Sequence, residues 1–238
     1  MELQGRVAVI TGASSGIGKA VARDLSEAGM KLILTGQRED KLRDLCAELG
    51  DAEWIAGDIA DPAMPQKLID MAMESFGRCD VVFNNAGFMT VGTIEEIDVD
   101  RVCQMVRVNV EAAYRMIYVA LQHFKKTGDG YLVNTSSILG TKVRDTTGAY
   151  AGTKWAIEAL TESLRIELGG TNIGICAVEP GLVQTELHRE WPVHPSKSLG
   201  IEPPLEPEDI ARAVRFVLEQ PDHVRIPRIL VTPAAQKM

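Results

Sequence analysis

Residues 7–18, VAVITGASSGIG, constrain this chain more than any other stretch. Val7 to Thr11 are apolar or β-prone throughout, as a strand buried on both faces requires. Gly12, Gly16 and Gly18 follow, and Ile17, Val21 and Leu25 then recur four apart on one face of a helix. Strand, glycine turn and helix in that order can cradle the pyrophosphate of a dinucleotide, with Ser14, Ser15 and Ile17 completing the loop. Gly12 permits the tight turn, Gly16 lets backbone approach the phosphates, and Gly18 lets the helix pack close to the strand. The first N–H groups of the helix then face the phosphates, and its dipole favours their charge. The spacing is Gly-x3-Gly-x-Gly rather than the commoner Gly-x-Gly-x2-Gly, and glycine clusters also serve ordinary turns. The case therefore rests on what lies downstream.

Beyond residue 30 strand and helix patterns keep alternating. Strands are expected at 31–35, 53–56, 80–84, 131–135, 173–178 and 228–232, and helices at 38–49, 62–76, 100–126, 148–168 and 207–220. Leu42, Leu45, Cys46 and Leu49 make one apolar helix face, and Ile210, Ala213, Val214, Val217 and Leu218 another. Residues 185–204 break the pattern, since five prolines from Pro192 to Pro207 limit regular structure. Alternation of this kind makes crossover units and a parallel sheet covered on both faces. The expectation is one α/β domain over 1–238, a doubly wound Rossmann fold on a seven-stranded parallel sheet, with 186–204 as a substrate lid. Such a sheet binds its ligand at the carboxyl ends of the strands, near the switch in strand order.

Composition sets outer limits. A length of 238 residues suits one large α/β domain. A net charge of −8, with basic residues scattered, argues against a nucleic acid or an anionic membrane as partner. No apolar run approaches the roughly 20 residues that span a bilayer. The first strand begins too early for a signal peptide to precede it, so a cytoplasmic location is expected. Cys46, Cys79, Cys103 and Cys176 form no C-x-x-C pair and no zinc spacing with the four histidines. No metal site is expected, and the thiols read as buried and free.

Tyr150 and Lys154 lie four apart at the start of a predicted helix, so both project from one face. A free tyrosine, with a pKa of about 10, is a poor acid or base at neutral pH. An adjacent ammonium favours the phenolate, and a cationic nicotinamide ring adds to that effect, so the pair can move a proton to or from a substrate oxygen. Ser137 ends the fifth predicted strand, where its hydroxyl can orient the same oxygen or serve as a turn residue. Asn109 interrupts an apolar helical run, an unfavourable place for Asn that points to a polar role.

Thr11-Gly12-x3-Gly16-Ile17-Gly18, Asn84-Asn85-Ala86-Gly87, Asn109, Ser137, Tyr150-x3-Lys154 and Pro180-Gly181 occur in an order and at a spacing that resemble the short-chain dehydrogenase/reductase family. The resemblance covers essentially the whole chain. It implies Tyr150 as general acid/base, with Lys154 lowering its pKa and holding the nicotinamide ribose. It implies Ser137 as the residue that orients the substrate, and Asn109 as holding the helix geometry and a water that leads protons from Lys154 to solvent. Asp58 and Ile59 stand where the family contacts adenine. Asn85, Ala86 and Gly87 stand along the adenosine side, and Pro180, Gly181, Val183 and Thr185 at the nicotinamide end. Hydride transfer between an alcohol or carbonyl and nicotinamide is the implied chemistry.

An acidic residue at the end of the second strand would bind the ribose 2′-OH of NAD and repel the 2′-phosphate of NADP. That position holds Gly36. Gln37 and Ser15 are neutral where NADP enzymes of the family often carry a base, but Arg38 can pair with a 2′-phosphate. NADP is the expected cofactor, with NAD possible.

Specificity is expected from Phe88, Met89, the 138–147 loop and the 186–204 segment with Leu187, His188, Arg189, Trp191 and His194. Lys142, Arg144 and Arg189 are candidates for a substrate carboxylate, against the ordinary alternative of surface charge. The tail Gln220-Pro221-x-His223-Val224-x-Ile226, with Leu230-Val231-x-Pro233 and Gln236, resembles a branch with NADP-dependent 3-hydroxy acid (serine-type) dehydrogenases and clavulanate dehydrogenase. That implies a small hydroxy or keto substrate and a homo-oligomer, tetramer or dimer. Two alternatives stand beside it. One is a broad carbonyl reductase using NADH or NADPH. The other is a non-catalytic dinucleotide-sensing regulator, which needs the glycine loop but not Ser137, Tyr150 and Lys154 together.

Overall fold

Seven parallel strands form one sheet in the order β3-β2-β1-β4-β5-β6-β7. They are β1 Val7–Thr11, β2 Lys31–Gly36, β3 Ala52–Ala56, β4 Val81–Asn84, β5 Gly130–Thr135, β6 Ile173–Pro180 and β7 Arg228–Val231. The helices are α1 Gly16–Glu27, α2 Glu39–Leu49, α3 Met64–Phe76, α4 Val99–Val106, α5 Ala113–Thr127, α6 Gly148–Glu167, α7 Pro195–Ser198 and α8 Pro207–Leu218. The computed structural model describes residues 1–188, 193 and 195–237.

Strand alternation sorts the apolar side chains into two cores. Ala8, Ile10, Leu32, Leu34 and Val133 face Val21 and Leu25 of α1, Leu42 and Leu45 of α2, and Ile210 and Val214 of α8. Val7, Val9, Ile33, Val82 and Leu132 face Leu68 of α3, Met116, Ile117 and Phe124 of α5, and Ile157 and Leu164 of α6. Each large aliphatic side chain so buried contributes about 1.5–3 kcal/mol. Burial on both faces is why the strands read as unbroken apolar runs. The chain steps outward from β1 to β3 and returns to place β4 on the other side of β1. The turns after β1 and β4 therefore flank the switch in strand order, where a doubly wound sheet binds its ligand.

The helix expected over 100–126 is not continuous. Residues Arg107–Ala112 between α4 and α5 are π-helical. The wider turn accommodates an extra residue and lets Asn109 turn inward, 2% exposed. Apolar spacing of 3.6 cannot show such an insertion. Cys46, Cys79 and Cys176 are buried as expected, but Cys103 is exposed on α4. The segment after β6 is irregular, with a 3-10 turn at Glu186–His188 and the single-turn α7. Arg189, Trp191 and His194 lie outside the described residues. No described helix is long and apolar enough to cross a membrane.

Candidate active site

The glycine turn is locked to the end of β4. Thr11 Oγ1 accepts hydrogen bonds from the backbone N–H groups of Asn85 and Ala86, at 2.8 and 3.0 Å. Asn85 Nδ2 donates to the Thr11 carbonyl at 3.1 Å. Gly12 has φ +68°, and a Cβ there would come within 3.0 Å of Ala86 Cα. A Cβ on Gly18 would lie 2.3 Å from the Gly12 carbonyl oxygen, so only glycine lets α1 start this close to β1. Ser15 is the N-cap of α1, yet its hydroxyl accepts no helix N–H. The helix start thus keeps its donors and positive dipole end for an anion. This cradle fits the pyrophosphate of a dinucleotide.

Gly36 ends β2 against Ser14, whose Oγ is 3.0 Å from where a Gly36 Cβ would stand. Gln37 is exposed, and Arg38 is the partly buried N-cap residue of α2. Arg38 Nε and Nη2 reach Ser14 Oγ at 3.4 and 3.3 Å, and Nη1 reaches Glu186 Oε2 at 2.5 Å. Asp58 is exposed and its carboxylate closes a local turn on the Ala60 N–H, at 2.9 Å. Ile59 is buried in the α3–α5–α6 core.

Asn109 holds the turn after β4. Its Oδ1 accepts from Phe88 N at 3.0 Å, and its Nδ2 donates to Phe88 O at 2.8 Å and to Thr153 Oγ1 at 3.3 Å. Thr153 in turn donates to the Tyr150 carbonyl at 2.7 Å. The π-turn therefore ties the Gly87-Phe88 loop to the first turn of α6. Gly87 must stay small, because a Cβ would approach Asn109 Oδ1 to 3.0 Å.

Ser137, Tyr150 and Lys154 are brought together at the carboxyl end of β5 and the start of α6, and all are buried. Ser137 Oγ accepts from Leu139 N at 3.1 Å, opening a short 3-10 turn. Lys154 Nζ donates to the Thr135 carbonyl at 2.8 Å and lies 5.8 Å from the Tyr150 ring centroid. Spacing alone predicts a depressed Tyr150 pKa, but in this structure burial dominates. It pushes the phenol up to about 12, with the Ser137 hydroxyl pulling the other way. Burial also pushes Lys154 down to about 8, opposed by the Glu158 carboxylate four residues on. Lys154 remains mostly protonated at neutral pH, and one of its three N–H donors is taken by the Thr135 carbonyl.

Pro180 ends β6, and Gly181 follows it and donates from its N–H to Val231 O at 2.7 Å. Gln236 Oε1 accepts from Leu182 N at 3.0 Å and would be struck by a Gly181 Cβ. Val183 is buried in the core, and the Thr185 methyl group lies over Gly16. A cavity of about 360 Å³ is lined by Ile138, Leu139, Thr141, Lys142, Val143, Arg144 and Trp155, and Ser137 is not among them. Lys142 and Arg144 are both exposed at it. Tyr150 and Lys154 are not among its lining residues.

Sequence reading gives no role to Thr135, Thr153 or Glu158, and takes Glu186 and Gln236 only as parts of the 186–204 lid and of the tail motif. Only Glu158 left a signal, since Tyr150, Lys154 and Glu158 recur four apart on one helix face.

The profile described as short chain dehydrogenase matches residues 6–195. The chain belongs to the short-chain dehydrogenase family. An uncharacterized oxidoreductase of Staphylococcus aureus (strain MRSA252) is 34% identical over 233 residues, which are 97% of this chain and 98% of that one. The solved closed form of serine dehydrogenase complexed with NADP+ is 26% identical with a TM-score of 0.91, over 98% of this chain and 96% of that one. An alcohol dehydrogenase from the archaeon Thermococcus sibiricus, complexed with 5-hydroxy-NADP, is 30% identical with a TM-score of 0.85, over 98% of each chain. This short-chain dehydrogenase is thus an oxidoreductase, and the buried polar cluster at the end of β5 is its candidate active site.

Proposed function

We propose that this enzyme transfers hydride between NADP(H) and a small hydroxy or keto compound, a 3-hydroxy acid in particular. The observation that carries the reading is the meeting of Ser137, Tyr150 and Lys154 beside the glycine cradle, braced by Asn109. When bound, the nicotinamide supplies the hydride chemistry and, oxidised, a positive charge. Tyr150 is the proton donor to a carbonyl oxygen, a role suited to a phenol that burial keeps protonated. In the reverse direction it takes the hydroxyl proton, which needs neighbouring positive charge to bring its pKa down. Lys154 supplies part of that charge and holds the ribose, while Ser137 fixes the substrate oxygen. Asn109 positions Phe88 and the first turn of α6.

Gly12, Ser14, Ser15, Gly16, Ile17 and Gly18 would hold the pyrophosphate. Asp58, Ile59, Asn85, Ala86 and Gly87 would line the adenosine side. Pro180, Gly181, Val183 and Thr185 would line the nicotinamide end. Arg38, beside Gly36 and Gln37, is assigned to the 2′-phosphate. The likeness to structures complexed with NADP+ and 5-hydroxy-NADP supports this choice. The exposed cations Lys142 and Arg144 on the loop that follows Ser137, and the likeness to serine dehydrogenase, support a carboxylate-bearing substrate. The tail resemblance supports a homo-oligomer, and 186–204 is assigned as the lid.

The test is Tyr150→Phe, assayed with NADP+ and NAD+ on 3-hydroxy acids and on uncharged secondary alcohols. Turnover by the wild type is expected to prefer NADP+ and the acids, and the variant to lose roughly a hundredfold or more. Near-full turnover by a folded variant refutes the mechanism. A preference for NAD+ or for uncharged alcohols refutes the cofactor or substrate assignment alone.

A further inference from the structure

Arg38, the cation assigned to the 2′-phosphate, is held from two sides. Ser14 Oγ of the glycine loop takes two of its nitrogens and Glu186 takes the third, at 2.5 Å. Glu186 follows Thr185, whose methyl group rests on Gly16, and opens the 3-10 turn after β6. The pair remains accessible, with 32% of the Arg38 side chain and 52% of the Glu186 side chain exposed. A dissolved anion can therefore reach Arg38, but it arrives beside a carboxylate already there. Glu39 and Asp40 add negative charge in the next turn of the chain.

Resting on the NADP reading above, we propose that Glu186 is a specificity-determining residue for the dinucleotide. Its carboxylate covers part of the Arg38 guanidinium that a 2′-phosphate would take, so NADP must displace it and NAD need not. A phosphate and a carboxylate on the same face of one guanidinium repel each other. An exposed ion pair is weak enough to be displaced, so Glu186 lowers affinity for NADP without abolishing it. Arg38 favours NADP and Glu186 trims that preference, leaving the enzyme more tolerant of NAD than Arg38 alone would make it.

The experiment measures dissociation constants for NADP+ and NAD+ by calorimetry, for wild type, Arg38→Ala and Glu186→Gln, at low and high salt. Glu186→Gln is expected to tighten NADP+ about threefold to fivefold and to leave NAD+ unchanged. The gain should shrink at high salt, as screening weakens the repulsion. Arg38→Ala is expected to weaken NADP+ alone. If Arg38→Ala weakens NADP+ but Glu186→Gln moves neither cofactor, or both equally, the role of Glu186 is overturned and the cofactor reading stands. If Arg38→Ala leaves NADP+ unchanged, the cofactor reading falls and this inference with it.

Discussion

Lys154 donates its buried ammonium to the carbonyl oxygen of Thr135 at 2.8 Å. The Thr135 hydroxyl donates to Asn85 Oδ1 at 3.1 Å, and Asn85 Nδ2 donates to the Thr11 carbonyl at 3.1 Å. One hydrogen-bonded line thus crosses the ends of β5, β4 and β1, joining α6 to the glycine turn. The residues assigned to proton transfer and to the dinucleotide share a frame, in which hydrogen-bonded side chains at the strand ends fix their relative positions.

Holding a charge on Lys154 costs stability. Burial pushes its pKa down to about 8 from 10.5, against the pull of Glu158. Between those values the unfolded chain binds the proton more tightly than the folded one. The penalty is therefore complete below pH 8 and fades toward pH 10.5. Lys154→Met keeps the apolar stem and removes the charge. It is expected to lose roughly a hundredfold or more in turnover. Its melting temperature at pH 7 should be no lower than that of the wild type, with any advantage shrinking as pH rises toward 10.5. Lower stability at pH 7 would show that the contact with Thr135 outweighs the burial penalty.

Asn109→Ala removes three side-chain hydrogen bonds and leaves Phe88 with an unpaired backbone N–H and carbonyl. Lost bonds at a buried site together with a small void amount to about 2–3 kcal/mol. Turnover is expected to fall with stability, because Thr153 loses its link to the π-turn just where it holds the Tyr150 carbonyl. Urea denaturation and a turnover assay on the same preparation check both. A loss of under about 0.5 kcal/mol would mean that water replaces the side chain.

Gly18 and Gly152 invite opposite outcomes from the same change. Gly18→Ala drives a Cβ to 2.3 Å from the Gly12 carbonyl oxygen, so α1 must move away from β1. Stability and dinucleotide affinity should both drop. Gly152 lies inside α6, between Tyr150 and Lys154, with nothing within 4 Å of its absent Cβ. Gly152→Ala is expected to stabilise the protein by about 0.5–1 kcal/mol, through helix propensity alone. Thermal melts of the two variants decide the matter, and a destabilised Gly152→Ala would mean that a methyl group there meets a neighbour of α6.

How much of this was legible in the sequence follows from how local each feature is. β1 and its glycine turn are legible because burial on both faces leaves an unbroken apolar run and three glycines mark the turn. Tyr150 and Lys154 are legible because helix geometry alone puts residues four apart on one face. The π-turn at Arg107–Ala112 is not, since an inserted residue leaves the polar and apolar composition unchanged. The partner of Arg38 is not either, because Glu186 lies 148 residues away and meets it only through the fold. The rise of the Tyr150 pKa in the ligand-free chain is not legible for a related reason. Spacing gives the neighbour, but burial depends on everything packed around the ring.

Arg228 on the edge strand β7 bridges two buried carboxylates. Its Nη2 is 3.2 Å from Glu158 Oε2 and its Nε is 2.7 Å from Glu179 Oε1. Thr141 adds a hydroxyl donor to Glu179 Oε2 at 3.3 Å. Burial pushes the Glu179 pKa up from 4.5, and Glu158 pushes it further, with Arg228 and Thr141 pulling it back. A raised carboxyl pKa favours the folded state fully below the unfolded value, and the benefit is lost as pH rises through the folded value. Arg228→Gln removes the opposing cation, so that loss should extend toward neutral pH. Breaking a buried pair costs about 3–5 kcal/mol, but Arg228 is half exposed and water shares the work, so about 1–3 kcal/mol is expected at pH 8. At pH 5 the loss should be smaller than at pH 8, because a raised pKa moves Glu179 toward its protonated form as pH falls. The effect should also reach Lys154, because Glu158 loses its competing partner and its charge is left to support the ammonium. The part of the pH–rate profile set by Lys154 is expected to move upward in the variant. Equal destabilisation at pH 5 and pH 8, with an unmoved profile, would mean that the arginine only packs against β6 and that its charge does not offset the two carboxylates.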